Sequence, residues 1–392
     1  MTVAWSGASC ADLLVRVTEA ALGRQLPDGS MTAGHNGPYR DPETPLRNSS
    51  HWLHAFLKAY SLTGERRFEH AAHRIARLLL RPEMRPGGYT FHYRTAPGKD
   101  RCSGLIGQAW TLESLALAWS HFQSDEHLAL ALDCFRSLPF DQQYGLWQVR
   151  DIDGSLHGFD KTLNHQLWFA AAASRLLSSG APELSDALEI FLDRLPQYFA
   201  LFPNGLIYHD SILQTESRRR RIVTAPTRVV GSRLFPRSVL QLGLVANVDS
   251  LYMKSVGYHA FCTYALATLK LRLPAHAFWQ SASLFKAVDY LRSSDYWSLI
   301  NVESRYGFPY NAPGFEVPFS VITLGGGTDI EAAQLASLWV TAQARRTFNA
   351  MSMRFDRGTP DPETLTARIY EMTALSNEIL RAAVLEDSGS IE

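Results

Sequence analysis

The chain has 392 residues, of which 46% are hydrophobic and 11% aromatic, and its 38 Lys and Arg balance 38 Asp and Glu. That length and apolar content can bury a large core, while a formal net charge of +0 supplies no global field to draw the protein to nucleic acid or a membrane surface. No run of about eighteen uncharged apolar residues occurs, and the start lacks a signal-peptide pattern. The 4 cysteines follow neither CxxC spacing nor a secreted framework, so a cytoplasmic protein without membrane insertion is expected.

Apolar periodicity and capping signals predict helices over 9–23, 49–62, 66–80, 105–122, 125–137, 163–178, 182–199, 256–271, 276–292, 330–348 and 361–383. Trp52, Trp110 and Trp168 recur at a spacing of 58 residues, each followed by a helical stretch, a short break and a second helical stretch. A lone hairpin cannot bury its own apolar face, so the repeat implies stacked hairpins within one domain spanning 1–392.

Connections alternate in length. Those inside hairpins, near 63–65, 123–124, 179–181 and 272–275, are short; those between hairpins, at 24–48, 81–104, 138–162, 200–255 and 293–329, are long. In an up-and-down ring the long ones emerge at one mouth, where function collects. GLWQVRDIDGSLHGF reads as a β-hairpin turning at Asp153-Gly154, and PNGLIYHDSIL is similar. Eleven helices make five hairpins and a leading helix, and PRSVLQLGLVANVD is a candidate for the missing partner.

The segment IGQAWTLESLALAWSHFQSDEHLALAL, through Gly107, Gln108, Ala109 and Trp110, resembles unsaturated glucuronyl hydrolases, in the six-hairpin (α/α)6-toroid group of carbohydrate-active proteins. The resemblance implies an all-α toroid with a saccharide substrate. It leaves the reaction open, because similar toroids host sugar epimerases and polysaccharide lyases.

Residues just ahead of each inner helix should face the mouth. In GHNGPYRDPETPLRNSSHW, Asp41 and Glu43 are candidate general acids or bases, or else acidic caps of the next helix, with Arg47, His51 and Trp52 beside the substrate. Arg101, Gln108 and Trp110 occupy the same place in the second unit. In the third, Asp160, Asn164, His165 and Trp168 combine a carboxylate for proton transfer, an amide for hydroxyls and an indole for a sugar face; Asp160 alternatively N-caps its helix. Tyr258 and His259 are the pair an epimerase or lyase would want, or a hydrogen-bonded core pair. Glu303, Arg305, Tyr306, Tyr310, Asn311 and Glu316 sit in a Pro- and Gly-rich segment that suits a wall or lid, with Tyr306 and Tyr310 beside the substrate and Glu316 a second candidate catalytic carboxylate, or else a structural loop that fills the barrel; the glycines before Asp329 read as a hinge or helix cap.

Recurrent loop arginines point to an anionic saccharide, most simply a uronic acid, unless they pair with loop carboxylates. Arg218 to Arg221 read as a solvated loop. HExxH, paired CxxC and Gly-x-Ser-x-Gly are absent, so neither a metal nor a cofactor is expected. The leading expectation is a glycoside hydrolase in which Asp160 and Asp41 transfer protons and His165 assists. The alternatives are an epimerase or lyase working through Tyr258 and His259, and a non-catalytic saccharide-binding protein.

Overall fold

A computed structural model describes residues 7–209, 244–302 and 304–386, with the side chains of 244–250 outside that description. In chain order the helices are α1 (Cys10–Leu22), α2 (Leu46–Thr63), α3 (Arg66–Leu79), α4 (Gly104–Phe122), α5 (Asp125–Ser137), α6 (Leu163–Ser174), α7 (Pro182–Arg194), α8 (Leu244–Arg272), α9 (Ala282–Leu291), α10 (Ser294–Asn301), α11 (Pro313–Gly325), α12 (Asp329–Thr347), α13 (Pro362–Ala367) and α14 (Asn377–Ala382). A 3-10 segment, Arg368–Ala374, joins the last two.

Six inner elements close a ring. α2 packs on α4, α4 on α6, α6 on α8, α8 on α11, α11 on Arg368–Ala374, and that segment returns to α2. The inner helices α4 and α6 are apolar or small on nearly every face because they are covered on all sides, whereas outer helices are two-faced. In α3, Phe68, Ala71, Ala72, Ile75 and Leu79 are buried while Arg66, Arg67 and Arg74 face water. α2 ends at Gly64, whose φ of 74° suits the left-handed C-terminal position.

The sixth outer position belongs to α1, which packs on α2 and α14. The two ends of the chain are laced there: Cys10 N donates to Ala383 O at 2.8 Å and Leu385 N to Ala8 O at 2.9 Å. The result is an (α/α)6 toroid. The predicted hairpin at Asp153-Gly154 is present, with β2 (Leu146–Arg150) pairing antiparallel with β3 (Leu156–Phe159) and β1 (Phe140–Asp141) flanking β2.

Inner-helix glutamines pin the long connections. Gln108 Oε1 accepts from Phe91 N at 2.8 Å while its Nε2 donates to Phe91 O at 3.1 Å. Gln166, one repeat later, treats Trp147 the same way, at 3.0 and 2.8 Å. The second and third tryptophans of the repeat therefore have a glutamine companion two residues earlier that docks a loop, a place that Ser50 takes before Trp52.

Three sequence expectations are corrected. The connection 293–329 is not a loop but contains α10 and α11, the fifth inner helix. Its sequence, PGFEVPFSVITLG, carries β-branched residues and an internal Pro318, a weak helix former that burial on all sides overrides. The predicted helix 361–383 is broken into α13, the 3-10 segment and α14, which Ser376 caps. The helix missing from the predicted set is α11, which pairs with α12 and leaves α1 to fill the sixth outer place; residues 244–249 of the stretch PRSVLQLGLVANVD extend α8 instead. Residues 236–243, Arg218 to Arg221 and Glu303 lie outside the described residues.

Among the described residues no helix is long and apolar enough to cross a membrane. Replacing Gln166 with Leu should strand the buried Trp147 N–H and C=O and cost about 3 kcal/mol of stability. Urea unfolding, with the exposed Gln143→Leu as control, measures the difference.

Candidate active site

All six inner elements send residues to one cavity of about 400 Å³ at the mouth: Arg47 from α2, Gly104 from α4, Asn164 and His165 from α6, Lys254 and Tyr258 from α8, Asn311 just before α11, and Arg368 from the last segment. Its charged lining comprises the cations Arg47, Arg94, Lys99, Lys161, Lys254 and Arg368 and the carboxylates Asp41, Asp100 and Asp160.

The end of the third long connection meets the start of α4. Asp160 Oδ2 contacts His165 Nδ1 at 2.8 Å and accepts from Leu105 N at 3.1 Å, while Oδ1 accepts from Thr162 N at 3.1 Å. Gly104 makes this approach feasible: its φ is +59°, and a Cβ there would stand 2.7 Å from Asp160 Oδ2. Burial pushes the Asp160 carboxyl up, but His165 and the two backbone N–H groups outweigh it and hold it below the usual aspartate range. Asp160 is thus an ionised acceptor at neutral pH. It holds the His165 ring by Nδ1 and leaves Nε2 for the cavity that His165 lines.

Asp41 is held differently. Lys99 Nζ reaches both of its oxygens, at 2.7 and 2.8 Å, Arg94 lies at 3.7 Å, and Asn36 donates at 3.4 Å. Arg94 also pairs with Asp100, whose Oδ1 accepts from Gly104 N at 2.8 Å. This array straps the first long connection to the second, beside the backbone bonds Thr44 N to Tyr93 O and Thr95 N to Pro42 O.

Facing the dyad's cavity is a tyrosine group. The Tyr258 and Tyr39 hydroxyls are 3.0 Å apart, and Tyr310 donates to Asn36 Oδ1 at 2.9 Å, an atom that also accepts from Arg47. The His209 ring stacks on Tyr258, centroids 4.2 Å apart. Burial drives the Tyr258 phenol well up and the His209 imidazole well down, so both are neutral near pH 7.

Of the residues nominated from sequence, Asp41, Asp160, His165, Tyr258, Arg47, Trp110, Asn164 and Tyr310 share this cavity. The remainder do not line it. Glu43 is buried against Arg47 at 3.1 Å, and Glu316 is fully buried on Arg368. His259 lies in the wall, its Nδ1 accepting from Ile207 N and its Nε2 meeting Ala287 O, with burial pushing it down to about 4. His51 stacks on Tyr370 at 4.1 Å, and Trp52 packs on Phe56. Trp168 donates to Phe261 O, and Gln108 is committed to Phe91 and Cys102. Arg101 points outward, 3.8 Å from Asp153, and the Tyr306 hydroxyl accepts from Arg305. His51, Trp52, Gln108, Trp168 and His259 are turned into the wall because α-helical geometry directs only part of each inner helix toward the axis.

Sequence reasoning missed Asn36, Lys99, His209, Lys254 and Arg368, and gave Asn311 no role beyond the wall segment. His209 stood in PNGLIYHDSIL, a segment noted for its turn alone. Arg368 was hidden in a helix not recognised as inner. Among the described residues no group of three or more His, Cys, Asp or Glu is placed to hold a metal ion.

No family model matches the chain. It is 41% identical over 370 residues to archaeal glycosylation protein Q of Haloferax volcanii, covering 94% of this chain and 98% of that one. Among solved structures it is similar to the cellobiose 2-epimerase from Spirochaeta thermophila, with TM-score 0.59 and 14% identity over 92% of this chain and 97% of that chain. It is also similar to an unsaturated glucuronyl hydrolase specific for heparin, with TM-score 0.57 and 13% identity over 94% and 97% of the two chains. At such identities the likeness establishes the toroid.

Two outcomes follow from the dyad. Gly104→Ala should cost about 1–3 kcal/mol through its left-handed backbone and separate His165 from Asp160, read as loss of the low-field Nδ1 proton signal. Because the folded value of Asp160 lies below its ordinary 3.8, its interactions stabilise the protein above that pH and the stabilisation fades as pH falls through the folded value. The stability advantage of wild type over Asp160→Asn should therefore be constant near neutrality and shrink in acid, as denaturant titrations at several pH values would reveal.

Proposed function

This chain belongs to the family of archaeal glycosylation protein Q, and we propose that it acts on an anionic saccharide of glycan assembly by moving a proton at a carbon beside a carboxylate or carbonyl, an epimerase-type reaction. The observation that carries this reading is the imidazole of His165, held through Nδ1 by a buried, ionised Asp160 and free at Nε2 toward the cavity.

Hydrolysis by paired carboxylates needs one protonated carboxyl to deliver a proton to the leaving oxygen. In this cavity Asp41 is engaged by Lys99, and Asp100 and Asp160 are held below the usual range by the charges and N–H groups they accept from, against burial that raises them. Glu43 and Glu316 do not line it. The remaining imidazoles and phenols of the lining are His157, His165, His209, Tyr39, Tyr258 and Tyr310, and of these His165 is the one hydrogen-bonded to a buried carboxylate. His165 Nε2 removes the proton from carbon and the cationic lining stabilises the enolate oxygen. The neutral Tyr258 phenol then returns a proton to the same carbon, and the proton held by His165 passes through solvent to the phenolate, so no atom is gained or lost and both groups are restored. Six cations line the cavity against three carboxylates, the glutamates paired with Arg47 and Arg368 lying off it, and a lining that turns its cations to the substrate favours an anionic sugar. The glycosylation role in the relative's name, and the sugars acted on by the structurally similar epimerase and hydrolase, support a saccharide substrate.

Uronic-acid sugars incubated with the protein in deuterium oxide should acquire one deuteron at the carbon beside the carboxylate and form the epimer. A mass gain of water, or an unsaturated product, would sink the reading. His165→Gln should slow exchange by about 10²–10⁴-fold, with Asp160→Asn slowing it less.

A further inference from the structure

Behind the cavity, two fully buried carboxyls meet one guanidinium. Glu316 of α11 and Glu371 of the last inner segment both contact Nη2 of Arg368, Glu371 at 2.6 Å, and each leaves its second oxygen without a protein partner. Nη1 of Arg368 donates to Asn311 Oδ1 at 3.2 Å. Asn311 is itself fixed, its Nδ2 donating to Gly257 O and Tyr306 O at 2.9 and 3.0 Å. Arg368 packs over the Phe261 ring at 5.0 Å. Arg368 and Asn311 line the cavity; the two glutamates do not.

A guanidinium has five N–H groups. Two carboxylates and Asn311 engage three, and Nε has no protein partner. Burial raises both glutamates, so the pair retains a proton and does not overwhelm the single cation. With its anionic partners off the cavity, the guanidinium presents the positive end of the cluster to the substrate.

We propose that Arg368 is a substrate ligand that takes the carboxylate of the anionic sugar, and that Glu316 and Glu371 are positioning residues that fix its guanidinium. The assignment rests on the proton transfer proposed above: the charge released from the adjacent carbon spreads into the carboxylate that Arg368 holds.

Glucuronate and its neutral counterpart glucose, titrated calorimetrically into the full chain, test it. Wild type should prefer glucuronate by roughly tenfold or more, and Arg368→Gln should erase that preference while glucose affinity stays within about threefold. Glu316→Leu, which removes the anchor of the pair that ionises more readily, should free the guanidinium and weaken glucuronate selectively; it carries the test if Arg368→Gln does not fold. A wild type that fails to prefer glucuronate overturns the assignment, as does a variant pair that keeps the preference or loses both sugars equally. Preference retained without deuterium exchange in the wild type counts against the proton-transfer reading alone.

Discussion

Closure of the inner ring is the constraint on which the rest depends. α4 and α6 have no face suited to water, so each needs a neighbour on both sides, and only a complete circle supplies that to every member. The last gap is filled by the two ends of the chain, where Cys10 and Ala383, and Leu385 and Ala8, share backbone hydrogen bonds while α1 takes the outer place. Closure brings Arg47 of the first hairpin and Arg368 of the last to one cavity.

The ring also disposes its connections. Gln108 and Gln166 reach from inner helices to the backbone of the preceding loops, which converts long segments into fixed walls. Asp160 then ties the start of α4 to His165 of α6, so the orientation of the imidazole is part of the contact between neighbouring inner helices. Gln166 also donates to Asp160 O at 3.1 Å, so the glutamine that docks the third connection holds the residue that anchors the imidazole.

Electrostatics sorts the ionisable groups by depth. Carboxylates at the mouth are satisfied by Lys99, Arg94 or backbone N–H groups, and act as acceptors. Histidines packed into the wall, such as His51 and His259, are driven neutral by desolvation with no cavity access. His165 lies between these extremes, half-buried and paired on one side only, and that placement distinguishes it from the other buried histidines.

Much of this was legible from residue order. Periodicity located the hairpins through α9, the alternation of connection lengths located the mouth, and the 58-residue repeat located Asp160, Asn164 and His165 ahead of Trp168. These signals are local: a helix's apolar spacing and a loop's length are set by neighbours in sequence. What residue order left undecided was non-local. α11 forms despite weak propensity because burial surrounds it, α1 completes a hairpin begun some 350 residues away, and Arg368 is an inner residue only because the ring closes there. The same holds for chemistry. Sequence supplied Asp160 and Asp41 as equivalent carboxylates, and tertiary structure alone made one the anchor of a histidine and the other the partner of Lys99, because ionisation and aim follow from which charges and donors surround a group in space.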